Sequence, residues 1–206
     1  DLAAAWDFDF SPESLADFRA WLRTQYRDIA ALNRQWATSF PTWDTVLPPT
    51  TTAAMARADA NWSGWADFKA WMDVAFATAL RAGTDALHRA DPAALSGIAG
   101  AQLPGWGGYD YGHLVSALDV IEAYDAGNNV EIARSLNPGL VLLTTSFAAG
   151  PAEAGRLWRQ ALLGGRGAII WDEGDFLRPD NTPAPRALSL APTIRELAGM
   201  VKTATG

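Results

Sequence analysis

The sequence contains no cysteine. This absence excludes disulfide bonds, thiolate nucleophiles and cysteine-ligated zinc, and it leaves the compartment, cytoplasmic or secreted, undecided. Positive charge is also scarce, with 16 Lys and Arg against 23 Asp and Glu and a net charge of −7. Because a nucleic-acid-binding surface needs a basic patch, we expect no nucleic-acid partner.

Long hydrophobic runs are missing as well. No apolar stretch reaches the roughly 18 residues that span a bilayer, and no targeting segment opens the chain, so we expect no membrane partner. The only histidines are His88 and His113, and no metal-binding or phosphate-binding motif surrounds them, so we expect neither a metal nor a cofactor. The 206 residues, 49% of them hydrophobic, are enough for one domain with a substantial core.

Tryptophan is abundant, with ten residues in the chain. Flat aromatic surfaces stack on the C–H faces of sugar rings, so a cleft rich in tryptophan suits a carbohydrate ligand. Most tryptophans in helices serve packing instead. The two that follow predicted strands, Trp106 and Trp171, are therefore the better candidates for a binding role.

The first half of the chain is predicted to be helical. Ser11 and Pro12 form a helix-start signal, because serine caps a helix and proline suits its first position. Apolar residues then recur at helical spacing until Pro92, which stops the last helix. This pattern predicts helices over 12–26, 28–37 and 61–89 with an irregular excursion at 38–60, and we group residues 1–94 as one helical segment.

The second half alternates short apolar runs with helical patterns. Strands are predicted at 95–100, 119–124, 140–145 and 167–172. Strands alternating with helices indicate parallel βαβ units, and four such units are half of an eight-unit barrel. The fold class is therefore α/β, with residues 95–206 as the C-terminal half of a (β/α)8 TIM-type barrel. The open sheet edges also allow a structural half-barrel that pairs with a second copy, so homo-oligomer formation stays open.

Functional side chains of a barrel come from the C-terminal ends of its strands and the loops after them. Carboxylates and aromatic residues occupy those positions here. Glycoside hydrolysis uses one carboxylic acid and one carboxylate, roughly 5 Å apart for retention and about 6.5–9.5 Å for inversion. We predict Glu122 as the first catalytic carboxylate and Asp172 as the second. The residues predicted to bind substrate are Trp106, Tyr109, Asp110, Tyr124, Asp125, Trp171 and Glu173.

Each of these acids has a structural alternative. Glu122 also fits a core-facing carboxylate held by a neighbouring arginine, while Asp110 and Asp125 also fit turn formers. Asp172 and Glu173 are adjacent, so in extended backbone their side chains point to opposite sides, and at most one is expected to face a site.

A dense motif lies between residues 18 and 49. It reads Phe18-Arg19-Ala20-Trp21-Leu22, then Tyr26, Leu32-Asn33, Trp36, Thr38, Phe40, Trp43 and Pro48-Pro49. This run resembles the stretch after the acid/base strand in family 42 glycoside hydrolases, the β-galactosidase type. The resemblance implies a retaining hydrolase of O-glycosidic bonds, on a barrel with two catalytic glutamates.

The resemblance also implies where those glutamates belong. The acid/base would fall just before Asp1, and the nucleophile would end strand seven, which here reads Leu143-Thr144-Thr145-Ser146 without a glutamate. Either the nucleophile has moved, for example to Glu122 or Asp172, or the chain is a non-catalytic carbohydrate-binding relative. The chain alone is expected to show no turnover, because one carboxylate is missing. The family's cysteine zinc cluster is absent, so no such zinc site is expected.

Overall fold

Helices build the first part of the chain in the computed structural model, which describes residues 7, 9–101, 109–124, 128–147 and 149–204. Short polar side chains begin these helices: Ser11 accepts a hydrogen bond from the backbone N–H of Ser14, and Asp28 accepts one from Ala31. The helices are α1 (Pro12–Gln25), α2 (Ile29–Trp36), α3 (Thr51–Met55) and α4 (Ser63–Ala90), with a 3₁₀ turn at Trp43–Thr45. The excursion at 38–60 therefore contains two short helical pieces.

An aromatic core joins α1, α2 and α4. The ring of Phe18 packs edge-on against Phe68, with centroids 5.1 Å apart. Gly64 lets α4 approach α2, since a Cβ at this position would lie 2.9 Å from the Trp36 ring. The fully buried members of this core are Phe18, Leu22, Leu32, Trp36, Val46, Phe68, Trp71 and Met72.

The motif between residues 18 and 49 is structural in this fold. The Asn33 side chain accepts hydrogen bonds from the Phe40 backbone N–H and the Thr38 hydroxyl, both at 2.9 Å. Its amide donates to the Phe40 carbonyl at 2.8 Å. Asn33 thus fixes the turn that leaves α2, and the indole of Trp36 donates to Asp67 of α4 at 2.7 Å.

The second part is a four-stranded parallel sheet in the order β1-β2-β3-β4. This arrangement confirms the predicted alternation of strands and helices. The strands are β1 (Gly97–Ala101), β2 (Val120–Ala123), β3 (Val141–Ser146) and β4 (Gly167–Ile170), and the helices between and after them are α5 (Tyr111–Leu114), α6 (Asn129–Leu136), α7 (Glu153–Leu162) and α8 (Pro185–Ala204). None of the helices in the described part of the chain is long and apolar enough to cross a membrane.

Side chains along the strands alternate between two faces of the sheet. Ile121 and Ala123 of β2 and Leu142 of β3 lie in the core cluster with residues of α5 and α6. The residues between them, Glu122 and Leu143, are paired neighbours and therefore lie on the opposite face. This opposite face, which also carries Thr145 and Ile169, is called the inner face below.

Candidate functional site

Three aromatic residues follow the last residues of neighbouring strands. Tyr124 comes after β2, Phe147 after β3 and Trp171 after β4. The centroids of Tyr124 and Phe147 are 4.9 Å apart with the rings nearly perpendicular, and those of Phe147 and Trp171 are 6.0 Å apart at 43°. About half of the surface of Phe147 and of Trp171 is exposed. We call these three residues the aromatic row.

Phe147 is the member of the row that the sequence prediction left out. Tyr124 and Trp171 were predicted to bind substrate, and the structure brings both of them together around Phe147. Its position one residue after a strand is the sequence signal that could have identified Phe147. Phe147 follows β3 by one residue, as Tyr124 follows β2 and Trp171 follows β4.

Glu122 lies in β2 on the inner face and is 4% exposed. Its Oε2 accepts a hydrogen bond from the backbone N–H of Gly100, while Oε1 has no partner among the described residues. Burial raises the pKa of the Glu122 carboxyl, and the Gly100 N–H opposes that shift only in part. No arginine or lysine is hydrogen-bonded to Glu122 within the described part of the chain. The alternative in which a neighbouring arginine holds this carboxylate is therefore not supported by these contacts.

The backbone beside Glu122 is irregular. The register between β1 and β2 shifts between Ile98 and Ala101, and Gly100 has φ +73, a conformation that favours glycine. A Cβ on Gly100 would lie 3.2 Å from the hydroxyl oxygen of Tyr124. The first residue of the aromatic row and the buried carboxylate therefore meet at the same bulge.

Asp172 and Glu173 lie in a turn rather than in extended backbone, and their carboxylates have different partners. The Asp172 carboxylate turns back on its own loop and accepts hydrogen bonds from the backbone N–H groups of residues 174–177 at 2.8–3.1 Å. These bonds, the one from Phe176 foremost, lower the pKa of Asp172. Glu173 instead accepts a 3.3 Å bond from the Trp171 indole, which orients the ring. This turn also explains why β4 ends at Ile170, two residues earlier than predicted.

Tyr109 and Asp110 lie at the start of α5. The Tyr109 side chain is 7% exposed and stacks on Phe76 of α4 at 5.1 Å, inside the core cluster. Asp110 caps α5 by accepting a hydrogen bond from Gly112 at 2.7 Å. The other two residues predicted to bind substrate, Trp106 and Asp125, lie outside the described residues.

A buried ion pair lies directly under the aromatic row. Glu153, in the first turn of α7, accepts hydrogen bonds from the Ser146 hydroxyl at 2.6 Å and from Arg186 at 2.7 and 3.1 Å. Burial alone would raise the pKa of Glu153, but the bonds from Arg186 and Ser146 outweigh it and lower that pKa. We call Ser146, Glu153 and Arg186 the buried cluster. None of these three residues is among the site residues predicted from the sequence.

The fold and this rim define the class of the protein: a partial (β/α) barrel of the glycosidase type. Residues 3–125 match the family Glyco_hydro_42, described as beta-galactosidase, and this match covers more than half of the chain. The chain therefore belongs to the family 42 glycoside hydrolases. The resemblance seen in the sequence and the predicted fold class are both confirmed. A search of curated proteins found no significant match.

Solved structures with the same fold are also glycosidases. The catalytic domain of a beta-amylase from Paenibacillus polymyxa has a TM-score of 0.67 at 15% identity, with 93% of this chain and 57% of that chain covered. A GH42 exo-carrageenase from Bacteroides ovatus gives 0.63 at 18% identity, covering 84% and 29%. An exo-beta-agarase gives 0.58 at 16% identity, covering 97% and 32%. The chain thus spans between 29% and 57% of the length of these relatives, and the likeness at this identity concerns the fold.

Proposed function

We propose that this chain is the C-terminal half of the catalytic barrel of a glycoside hydrolase that cleaves β-galactoside-like O-glycosidic bonds with retention. In this proposal residues 1–94 follow strand four and residues 95–206 supply strands five to eight. The observation that carries it is the meeting of Glu122, a buried carboxyl, with the aromatic row at one edge of the sheet. Glycoside hydrolysis needs a pair of carboxyl groups at the bond, and the aromatic row offers a surface that can hold the sugar beside them.

The pKa shifts of the two candidate carboxyl groups favour different roles. Burial raises the pKa of Glu122, which favours a carboxyl that holds its proton and donates it to a leaving group. Backbone N–H groups lower the pKa of Asp172, which favours a permanently ionised carboxylate. Pairs of carboxyl groups with oppositely shifted pKa values are the usual basis of acid and anion roles in glycosidases. We assign Glu122 the proton-donating role and Asp172 the anionic role.

Turnover of 4-nitrophenyl β-galactoside by the full-length protein tests the assignment. We expect Glu122→Gln to lower kcat by roughly 100-fold or more, the usual contribution of a general acid, with KM changed only a few-fold. Glu13→Gln is the matched control, because Glu13 is exposed on α1. Unchanged turnover in Glu122→Gln would remove Glu122 from the mechanism. The isolated 206-residue chain contains both assigned carboxyl groups but supplies only half of the proposed barrel, and for that reason it is expected to show no turnover.

A second candidate function is carbohydrate binding without hydrolysis. The buried cluster favours it: at the end of β3, where the resemblance expects the nucleophile, Ser146 is bonded to Glu153, and the Glu153 side chain is 2% exposed and paired with Arg186. Both oxygens of this carboxylate are already bonded to Arg186, so neither is free to attack a sugar. Titration calorimetry of the full-length protein with lactose separates the two functions, because binding heat without any product, even after prolonged incubation, supports binding alone.

A further inference from the structure

We propose that the buried cluster is a positioning device that fixes Phe147 and Trp171 relative to each other. This inference rests on the proposed carbohydrate site, since it assigns a role to residues that do not contact the sugar. Ser146, Glu153 and Arg186 come from β3, α7 and α8, so the cluster links three elements of the fold.

Glu153 and Arg186 form a bidentate ion pair within the cluster. Both carboxylate oxygens of Glu153 accept hydrogen bonds from the Arg186 guanidinium, at 2.7 Å from Nη2 and 3.1 Å from Nε. The two side chains are 2% and 6% exposed. A bidentate pair of this kind fixes the orientation of the guanidinium as well as its distance from the carboxylate, because both hydrogen bonds must stay in one plane.

The outer ends of the cluster reach the backbone of the aromatic row. Arg186 Nη1 donates to the Trp171 carbonyl at 2.9 Å and to the Asp175 carboxylate at 2.8 Å. On the other side, the Ser146 hydroxyl donates to Glu153, and Ser146 is the residue just before Phe147. A continuous chain of hydrogen bonds therefore runs from the residue before Phe147 to the carbonyl of Trp171.

Stability alone does not account for this choice of residues. Removing two charges from water costs several kcal/mol per ion, and apolar side chains of similar volume often hold packed elements together as well or better. Apolar contacts are not directional, however, whereas the bond from Arg186 to the Trp171 carbonyl adds a second fixed contact to the strand bond from the Trp171 N–H to the Ser146 carbonyl at 2.9 Å. In this proposal the two contacts together hold the backbone that carries the Phe147 and Trp171 rings, which lie 6.0 Å apart at 43°.

The first test measures the position of Trp171 without any sugar. The full-length protein is labelled with 5-fluorotryptophan, and the Trp171 ¹⁹F resonance is assigned by its loss in Trp171→Phe. Arg186→Lys keeps the charge but removes the bidentate fork, so we expect this resonance to shift or broaden while circular dichroism stays unchanged. Ser146→Ala leaves the ion pair intact and should shift the resonance less. The matched control is Arg159→Lys, on the exposed side of α7.

The second test measures glycoside binding by the same variants. For Arg186→Lys we expect KM for 4-nitrophenyl β-galactoside to rise about 10-fold with kcat nearly unchanged, and for Ser146→Ala a smaller rise. If both variants lose only thermal stability, with the Trp171 resonance and KM unmoved, the cluster is structural and the inference is overturned. If Arg186→Lys does not fold, Ser146→Ala decides alone. If the resonance moves but the unmodified protein neither binds nor cleaves a glycoside, the proposed function fails while the positioning role stands.

Discussion

The rings of Phe147 and Trp171 lie 6.0 Å apart at 43°, at the ends of two neighbouring strands. The planes of the two rings are inclined to each other, so the rings do not form one flat surface. Tyr124 closes the row on the far side of Phe147, nearly perpendicular to it. Phe147 is therefore the central ring, and a ligand that contacts either neighbour also meets Phe147.

Phe147→Ala should weaken glycan binding because it removes the central ring of the row. Loss of one aromatic contact, worth about 0.5–1.5 kcal/mol beyond area burial, corresponds to roughly 3- to 10-fold in affinity. We expect KM for 4-nitrophenyl β-galactoside to rise by that factor with kcat little changed. Leu162→Ala, at a position 74% exposed on α7, is the control for removal of surface apolar area. Equal affinities for the Phe147 variant and the unmodified protein would show that the row does not bind the sugar.

Glu122→Gln should change the dependence of stability on pH. Burial raises the pKa of Glu122 in the folded state. The carboxyl therefore stabilises the folded protein at pH values below the pKa that Glu122 has in the unfolded chain. That contribution is lost as pH rises through the folded pKa, because the buried group must then ionise. The glutamine variant does not ionise, so it should be more stable than the unmodified protein at pH 7.

Urea unfolding of both proteins between pH 4 and pH 8 measures this difference. The gain from Glu122→Gln should shrink towards pH 4, where the glutamate of the unmodified protein is protonated. A gain of constant size across the whole range would show that ionisation of Glu122 is not its cause, and would also weaken the proton-donating role.

The parallel sheet was predictable from local signals. The run at 140–145 is almost continuously apolar, which is typical of a strand buried on both faces, and β3 occupies Val141–Ser146. The carboxyl ends of parallel strands share one edge, so the sequence alone places Tyr124 and Trp171 at the same edge of the sheet. β4 was predicted two residues too long, because Trp171 and Asp172 directly follow the apolar run in sequence but begin a turn in space.

The buried cluster could not be predicted in the same way. Glu153 and Arg186 are 33 residues apart, and neither sits at a strand end where functional side chains are expected. A charged residue in the first turn of a helix is ordinary, since acidic side chains favour that position. Only the packing of α7 and α8 against the end of β3 encloses them. Tyr109 shows the converse case: its position after β1 indicated a binding role, but its ring stacks on Phe76 of α4.

Tyr26 should make the helical part sensitive to alkali. Burial and the hydrogen bond to Asp67 raise the pKa of Tyr26 to about 12. A phenol with a raised pKa contributes stability that is present below its unfolded pKa of 10.0 and is lost as pH rises through about 12. We expect the free energy of unfolding of Tyr26→Phe to fall less steeply with pH between those two pKa values than that of the unmodified protein. Thermal unfolding at pH 9 to 12 measures it, with Tyr124→Phe as the control; equal slopes for all three proteins would contradict the coupling.

Asp67 should be the more sensitive partner in that network. Its Oδ2 accepts hydrogen bonds from the Trp36 indole at 2.7 Å and from the Tyr26 hydroxyl at 2.5 Å. Asp67→Ala leaves the buried indole N–H of Trp36 with only its longer 3.3 Å bond to the Tyr26 hydroxyl, a loss worth about 1–3 kcal/mol. Asp44→Ala, at an exposed position whose partner Arg23 is also exposed, should cost well under 1 kcal/mol. Urea unfolding compares the two, and a similar small loss for both would show that Trp36 finds another acceptor.

Gln160→Leu should stabilise the protein. Gln160 is 4% exposed, and neither its Oε1 nor its Nε2 has a hydrogen-bond partner within the described part of the chain. It lines a groove of about 410 Å³ between the sheet and α7 and α8, whose other walls include Leu157, Ile170 and Ile194. Leucine has a similar volume and no polar atoms, so it should remove the desolvation cost of the amide, about 1–3 kcal/mol, without leaving a cavity.

The matched control for Gln160→Leu is Gln25→Leu, because Gln25 is exposed at the end of α1. A surface substitution of this kind should fall within about 0.5 kcal/mol of the unmodified protein. Thermal and urea unfolding of both variants give the comparison. If Gln160→Leu is no more stable than its control, water in the groove already satisfies the amide. If it is less stable, the Gln160 amide makes a hydrogen bond that leucine cannot replace. Either outcome contradicts the prediction.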